Sequence, residues 1–302
     1  MLFIKWLSKS ILAQAVSSLM ETSRAIPFND LYRQLPHARH PHPRGLHTRV
    51  HFVASFLPWH RWFLHIYEQA LQGDCGLSFP MPYWDWSLDA GHLPDSPLLS
   101  GSATTGFGGT GPGGFVSPSR PNPLTSCVPD GAFANMTVAY YSGAARPHCL
   151  NRAFADGAGD QDHPERGANM SAYYYTPSFL ADMADNNTEF APFWRALEDG
   201  PHGAIHNAIG GDMIPGTSPN DPLFFMHHAQ VDRLWWLWQQ ADLAARALDF
   251  GGNREPVADT AEADTAEQAT LADSLAFLGL GEDVTVEAVM TTESNLLCYE
   301  YE

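Results

Sequence analysis

Phe56-Leu-Pro-Trp-His-Arg-Trp-Phe-Leu-His-Ile-Tyr-Glu68 sets aromatic and aliphatic side chains at helical spacing from Trp59 to Leu71, with His60 among them. Pro58 suits the first turn of such a helix, where a missing N–H leaves no bond unmade. A second stretch has the same character. Asp221-Pro-Leu-Phe-Phe-Met-His-His-Ala-Gln-Val-Asp232 leads into Val231 to Gln240, whose Trp235, Trp236 and Trp238 mark another apolar helix. Two aromatic helices far apart in the chain, each opened by histidines, predict a mainly α fold that turns imidazoles inward.

Outward from these helices the histidines continue. His202 and His206 are four residues apart, so on a helix both rings leave the same face one turn apart. His51 lies nine residues before His60. Asp232 follows His228 by four residues, placed for its carboxylate to take the other ring N–H of a ligand. One such histidine alone is best read as a hydrogen-bonded core residue; two clusters are not. Zinc hydrolases mix histidine with carboxylate or thiolate, whereas all-imidazole sites suit copper and leave positions open for O2. The pattern points to O2 chemistry rather than hydrolysis.

The chain of 302 residues, 44% hydrophobic and 12% aromatic, can bury a large core. Its 34 acidic residues against 16 basic ones argue against nucleic acid and anionic membranes as partners. Ten of the carboxylates lie between Glu255 and Glu293 without a Lys or Arg, which reads as a solvated surface. Ser78 to Gly200 is rich in Pro, Gly and Ser and is expected to be a long connection over the helical core, with Gly106 to Gly114 as loop. In the tail, a helix is expected near residues 261–278 and short strands at Val284 to Met290 and Leu296 to Tyr301. Met1 to Met20 patterns as an amphipathic helix, and Lys5 and Lys9 spoil a secretory signal. Glycosylation acceptor sequences at Asn135, Asn169 and Asn186 nevertheless favour secretion. Cys75, Cys127, Cys149 and Cys298 allow two disulfides of undetermined pairing.

The helix from Phe56, the segment Pro82-Tyr-Trp-Asp-Trp86 and Ser218-Pro-Asn-Asp-Pro-Leu-Phe-Phe-Met-His-His-Ala-Gln-Val-Asp-Arg233 resemble the signature segments of the tyrosinase and catechol oxidase family, in its short fungal form. The likeness runs from about Ala15 to Tyr301, and Tyr299-Glu-Tyr301 resembles the tyrosine motif that closes the family's catalytic core. It implies one catalytic domain over residues 1–302, a four-helix bundle with long irregular loops and a few short strands. It also implies two copper ions, three histidines each, with O2 as co-substrate and a small phenol as substrate. Position by position, the second copper takes His202, His206 and His228, while His227 has no ligand counterpart. The first copper takes His51 and His60, and His65 matches no ligand. The remaining ligand falls where the family spacing lands on Pro43. His37, His40, His42 and His47 surround it, and His42 is favoured.

The resemblance also implies catechol oxidation to o-quinone with weak monophenol hydroxylation. Gly203 stands where efficient tyrosinases carry the Asn that, with a Glu resembling Glu198, holds a deprotonating water. Phe224 matches the phenylalanine stacked on copper ligands. Trp59, Phe63, Phe224 and Trp235 are expected to line the site. Arg49 replaces a thioether-forming Cys, so no Cys–His crosslink is expected. The chain stops at Glu302 without a C-terminal lid domain, which predicts activity without proteolysis. A non-catalytic O2-binding dicopper protein and a pseudoenzyme with an incomplete first site are the rival readings.

Overall fold

In this computed structural model, residues 2–4, 50–75, 80–111, 126–142, 144–155, 172–257, 266–277 and 279–302 are described, and the statements below concern them. Leu2–Ile4 forms a short strand, β1. The expected amphipathic helix does not include these three residues; the rest of that stretch lies outside the described part. Helix α1 spans Phe56–Cys75. Phe56, His60, Phe63, Tyr67 and Leu71, three or four residues apart, make one buried face of it.

The middle of the chain is not all connection. Several 3-10 turns between Trp86 and Leu99 precede the hairpin of β2 (Thr137–Tyr141) and β3 (Ala144–Cys149), which is antiparallel. A disulfide between Cys127 and Cys149 anchors the hairpin base, and Cys298 is an exposed free thiol. The hairpin neighbourhood is held from beneath by Arg152, whose buried guanidinium donates to both Asp221 oxygens and to the carbonyls of Phe107 and Gly108.

Two helices follow that Pro and Gly content did not announce. α2 spans Pro177–Asn186, with Pro177 in its first turn and the Thr176 hydroxyl accepting from the Phe179 N–H. α3 spans Phe190–Leu197 and buries Phe190, Phe193, Trp194 and Leu197, an i, i+3, i+4, i+7 face. Its first-turn Phe190 N–H is satisfied by the Asp249 carboxylate at 2.8 Å. A π-helical turn, Glu198–His202, then leads into α4, Gly203–Ile209. Pro201 inside it has no N–H and crowds an ordinary helical turn, and the wider turn accommodates the ring.

α5 spans Leu223–Ala241 and α1 packs against it. Phe224, His228, Val231, Trp235 and Trp238 are its buried seam. Tyr67 stacks on Phe225 at 3.5 Å and Phe63 meets the same ring at 5.6 Å. Phe193 of α3 stacks on Trp238 at 4.7 Å. Each aromatic ring removed from water here contributes about 1.5–3 kcal/mol. The bundle of α1, α3, α4 and α5 is therefore largely apolar where the helices meet, with the histidines and a buried Arg61–Asp232 pair as exceptions.

A short helix, α6 (Leu243–Arg246), follows. The described residues of the expected tail helix, 266–277, are not helical and hold only strand β4, Ser274–Leu275. Leu275 and Phe277 are buried there without a helix, and Asp273 accepts from Arg254 and Thr270. β5 (Val284–Thr285) pairs with β4 and runs straight into the helical turn α7, Val286–Val289, where a strand was expected. β6, Tyr299–Tyr301, pairs in parallel with β1.

The tail closes the bundle through one buried node. The Asp232 carboxylate of α5 accepts Arg61 Nε at 2.6 Å, Tyr299 OH at 2.5 Å and Tyr301 OH at 2.6 Å. Arg61 also donates to the carbonyls of Val289 and Met290 and lies 3.6 Å over the Trp235 ring. Burial opposes the charge on Arg61, but Asp232 overrides it and raises the guanidinium further above its ordinary value. Burial first, and the Asp232 charge second, push both tyrosine hydroxyls well above theirs, so they stay donors. This corrects the sequence reading of Asp232, whose carboxylate is spent on Arg61 and the tyrosines, while His228 Nδ1 has no hydrogen-bond partner among the described residues. It also moves Trp235 out of the site lining, because that ring supports Arg61 and Phe190.

Candidate metal centre

The imidazoles of α1, the π-helical turn, α4 and α5 meet between the helices. His51 and His60 rings are 5.1 Å apart, His51 and His202 5.8 Å, His60 and His228 4.3 Å, and His202 and His206 4.6 Å. His202, His206, His227 and His228 each offer a nitrogen, and these atoms all lie within 4.8 Å of one another. His65 stands apart, stacked on Trp62. His37, His40, His42, His47 and Arg49 lie outside the described residues.

Main-chain carbonyls set the proton on three of these rings. His60 Nδ1 is 2.8 Å from Phe56 O, His202 Nδ1 3.0 Å from Glu198 O and His206 Nδ1 2.6 Å from Met213 O. A carbonyl only accepts, so each Nδ1 carries the hydrogen and each Nε2 keeps its lone pair. His202 Nε2 and both nitrogens of His228 are buried without hydrogen-bond partners among the described residues. Burial, and then the crowding of neighbouring imidazoles, holds His202, His227 and His228 well below the ordinary histidine value, so the rings are neutral. Neutral, buried nitrogens with orphaned lone pairs fit a soft-to-borderline divalent metal bound by imidazole alone. No carboxylate belongs to that nitrogen cluster.

The apolar lining is Phe56, Trp59 and Phe224. Phe224 lies 4.1 Å from the His228 ring and 6.2 Å from both His60 and His206. Phe56 sits between His60 and His202, at 4.7 and 4.8 Å, tilted against the first ring and edge-on to the second, a place that spacing alone did not mark. Phe63 supports Phe224 from behind at 6.0 Å.

Glu198 joins the two halves. Its Oε1 accepts the Phe52 N–H at 2.9 Å, next to His51, and its main-chain oxygen takes His202 Nδ1–H. The second oxygen, Oε2, is buried without a hydrogen-bond partner among the described residues. Burial outweighs the Phe52 bond and raises the carboxyl well above the usual carboxylate range. Phe52 itself has φ 59°, a left-handed conformation costly for a bulky residue. Glu198 holds its N–H, and Asn253 Nδ2 holds its carbonyl at 2.8 Å. Gly203 is helical, and a Cβ there would meet only Glu198 O at 3.5 Å, an ordinary contact.

The family model of the common central domain of tyrosinase matches residues 27–241. The chain belongs to the tyrosinase family. It is 41% identical over 263 residues to the tyrosinase-like protein phomQ1 of Diaporthe leptostromiformis, covering 83% of this chain and 64% of that one. It is 35% identical over 260 residues to tyrosinase ustQ of Aspergillus flavus, covering 85% and 66%. The chain thus spans about two-thirds of these relatives' length. Among solved structures it resembles a mutant polyphenol oxidase of Thermothelomyces thermophila, with TM-score 0.76, 27% identity, and coverage of 100% and 89%. An octopus hemocyanin functional unit shares the fold at TM-score 0.58 and 18% identity, covering 100% and 68%. Tyrosinase-family proteins carry a dicopper centre in a helical bundle, and the histidine cluster of this chain fits that metal.

Proposed function

We propose that this tyrosinase-family chain uses two copper ions and O2 to oxidise o-diphenols to o-quinones, two catechols and one O2 giving two quinones and two waters. His202, His206 and His228 hold the second copper; His51, His60 and His42 hold the first. When bound, the copper pair supplies the two-electron redox chemistry that carbon-centred side chains lack. The observation that supports this most strongly is the tautomer arrangement: ring protons parked on main-chain carbonyls leave Nε2 lone pairs on His60, His202 and His206, in rings that crowd around His228 at 4.3, 5.1 and 5.7 Å. Phe56, Trp59 and Phe224 keep that space dry and offer ring faces to a phenol.

Catechol is favoured over monophenol because a monophenol must first lose its hydroxyl proton. Glu198 has one oxygen committed to Phe52 and only Oε2 left for a water. Gly203 has no side chain to fix that water. We further propose a secretory route, which the exposure of the acceptor residues Asn135 and Asn186 supports; among the described residues no helix is long and apolar enough to cross a membrane. Oxygen uptake by the copper-loaded chain with catechol and with a matching monophenol tests the reading. Rapid catechol turnover with slow monophenol turnover is expected; no catechol turnover by protein holding two coppers refutes it.

A further inference from the structure

His227 lies among the metal-site nitrogens, yet its hydrogen bonding is the reverse of its neighbours'. The Trp86 indole N–H lies 3.1 Å from His227 Nδ1. An indole can only donate, so Nδ1 must present its lone pair and the neutral ring carries its proton on Nε2. That Nε2–H is buried and has no acceptor among the described residues, and the His227 ring lies 5.4, 4.8 and 5.0 Å from those of His202, His206 and His228. A buried donor without a partner is costly, and native proteins keep one where a ligand or a function answers it.

Trp86 is held firmly enough to impose this choice. The preceding Trp84 N–H donates to Met226 O at 3.1 Å, and Asp85 Oδ1 accepts Gln230 Nε2 at 3.1 Å. The indole is thus fastened to α5 on both sides of His227, and both rings are fully buried. We propose that Trp86 keeps His227 off the metal and holds its Nε2–H as a hydrogen-bond donor to an oxygen of the phenolic substrate at the second copper. Freed from the indole, the same ring could carry its proton on Nδ1 and offer Nε2 as a fourth nitrogen, filling the position that the substrate needs. His227 is then a substrate-binding residue and Trp86 a positioning residue that acts through it. The inference rests on the copper reading above, but its first test needs no metal.

Long-range proton–nitrogen correlation spectra of the metal-free chain read each tautomer directly. His227 should give the Nε2–H pattern while His60, His202 and His206 give Nδ1–H, and Trp86→Phe should abolish the difference. Copper content is read next. His227→Gln, which keeps a donor, should hold two coppers per chain and change the KM for catechol by less than about twofold, whereas His227→Leu should hold two coppers and raise KM by about tenfold. An Nδ1–H pattern at His227, or a single copper in His227→Gln, overturns the proposal, as does a His227→Gln variant whose KM matches that of His227→Leu. A wild-type chain that binds no copper overturns the metal reading instead, and the spectra tell the two failures apart.

Discussion

Replacing Asp232 by Ala removes one carboxylate that ties together three elements, α1, α5 and β6. Arg61 loses its counter-charge in a site where both side chains are at most 3% exposed, and two tyrosine hydroxyls at 2.5 and 2.6 Å lose their acceptor. Breaking a buried ion pair by removing one partner costs about 3–5 kcal/mol. Two buried hydroxyls left without an acceptor add about 1 kcal/mol each. The expected loss is about 5–7 kcal/mol, as large as the whole stability of many domains. The double replacement Arg61→Met with Asp232→Leu should recover more than half of it, because the stranded guanidinium goes too. Urea unfolding of the full chain in chelator, followed by tryptophan fluorescence, measures both. A loss under about 1.5 kcal/mol for Asp232→Ala contradicts the idea that this node ties the tail to α1 and α5.

Three further changes probe separate parts of the account. Gly203→Asn should raise the monophenol-to-catechol turnover ratio by about tenfold or more, since the new amide can fix a water against Glu198 Oε2; an unchanged ratio removes Gly203 as the cause of catechol preference. His65→Phe should keep both coppers and change stability by less than about 1 kcal/mol, because that ring only stacks on Trp62; loss of copper from this variant puts His65 in the site. Reducing the Cys127–Cys149 bond, whose partners are 22 residues apart, should lower stability by about 3 kcal/mol, read as a lower midpoint in chemical denaturation with copper content intact.

Much of the site was legible because its chemistry is local. His202 and His206 are one turn apart, and His60 and His228 each replace an apolar residue in a helical seam, so spacing alone brings them inward. What could not be read is long-range. Trp86 meets His227 across 141 positions and Glu198 reaches Phe52 across 146, and no periodicity encodes such pairs. Asp232 was misread for the same reason: its position one turn after His228 was visible, but the competing Arg61, Tyr299 and Tyr301 come from both ends of the chain. The middle was read as connection because Pro and Gly dominate the average. The short faces of α2 and α3 lie inside that average, and Pro177 there starts a helix instead of breaking one. The described part of the expected tail helix, 266–277, is instead held extended by the pairing of β4 with β5 and by Asp273, which takes Arg254 and the Thr270 N–H, contacts that helix-forming composition does not encode.

The central claim is that these imidazoles hold a coupled copper pair. Copper content per chain, measured by mass spectrometry together with electron paramagnetic resonance of the same oxidised sample, tests it most directly. Two coppers per chain with no resonance signal is the predicted result, since paired cupric ions at one site cancel each other's spin. One copper per chain with a mononuclear cupric signal contradicts it and leaves only the set of His202, His206 and His228 occupied.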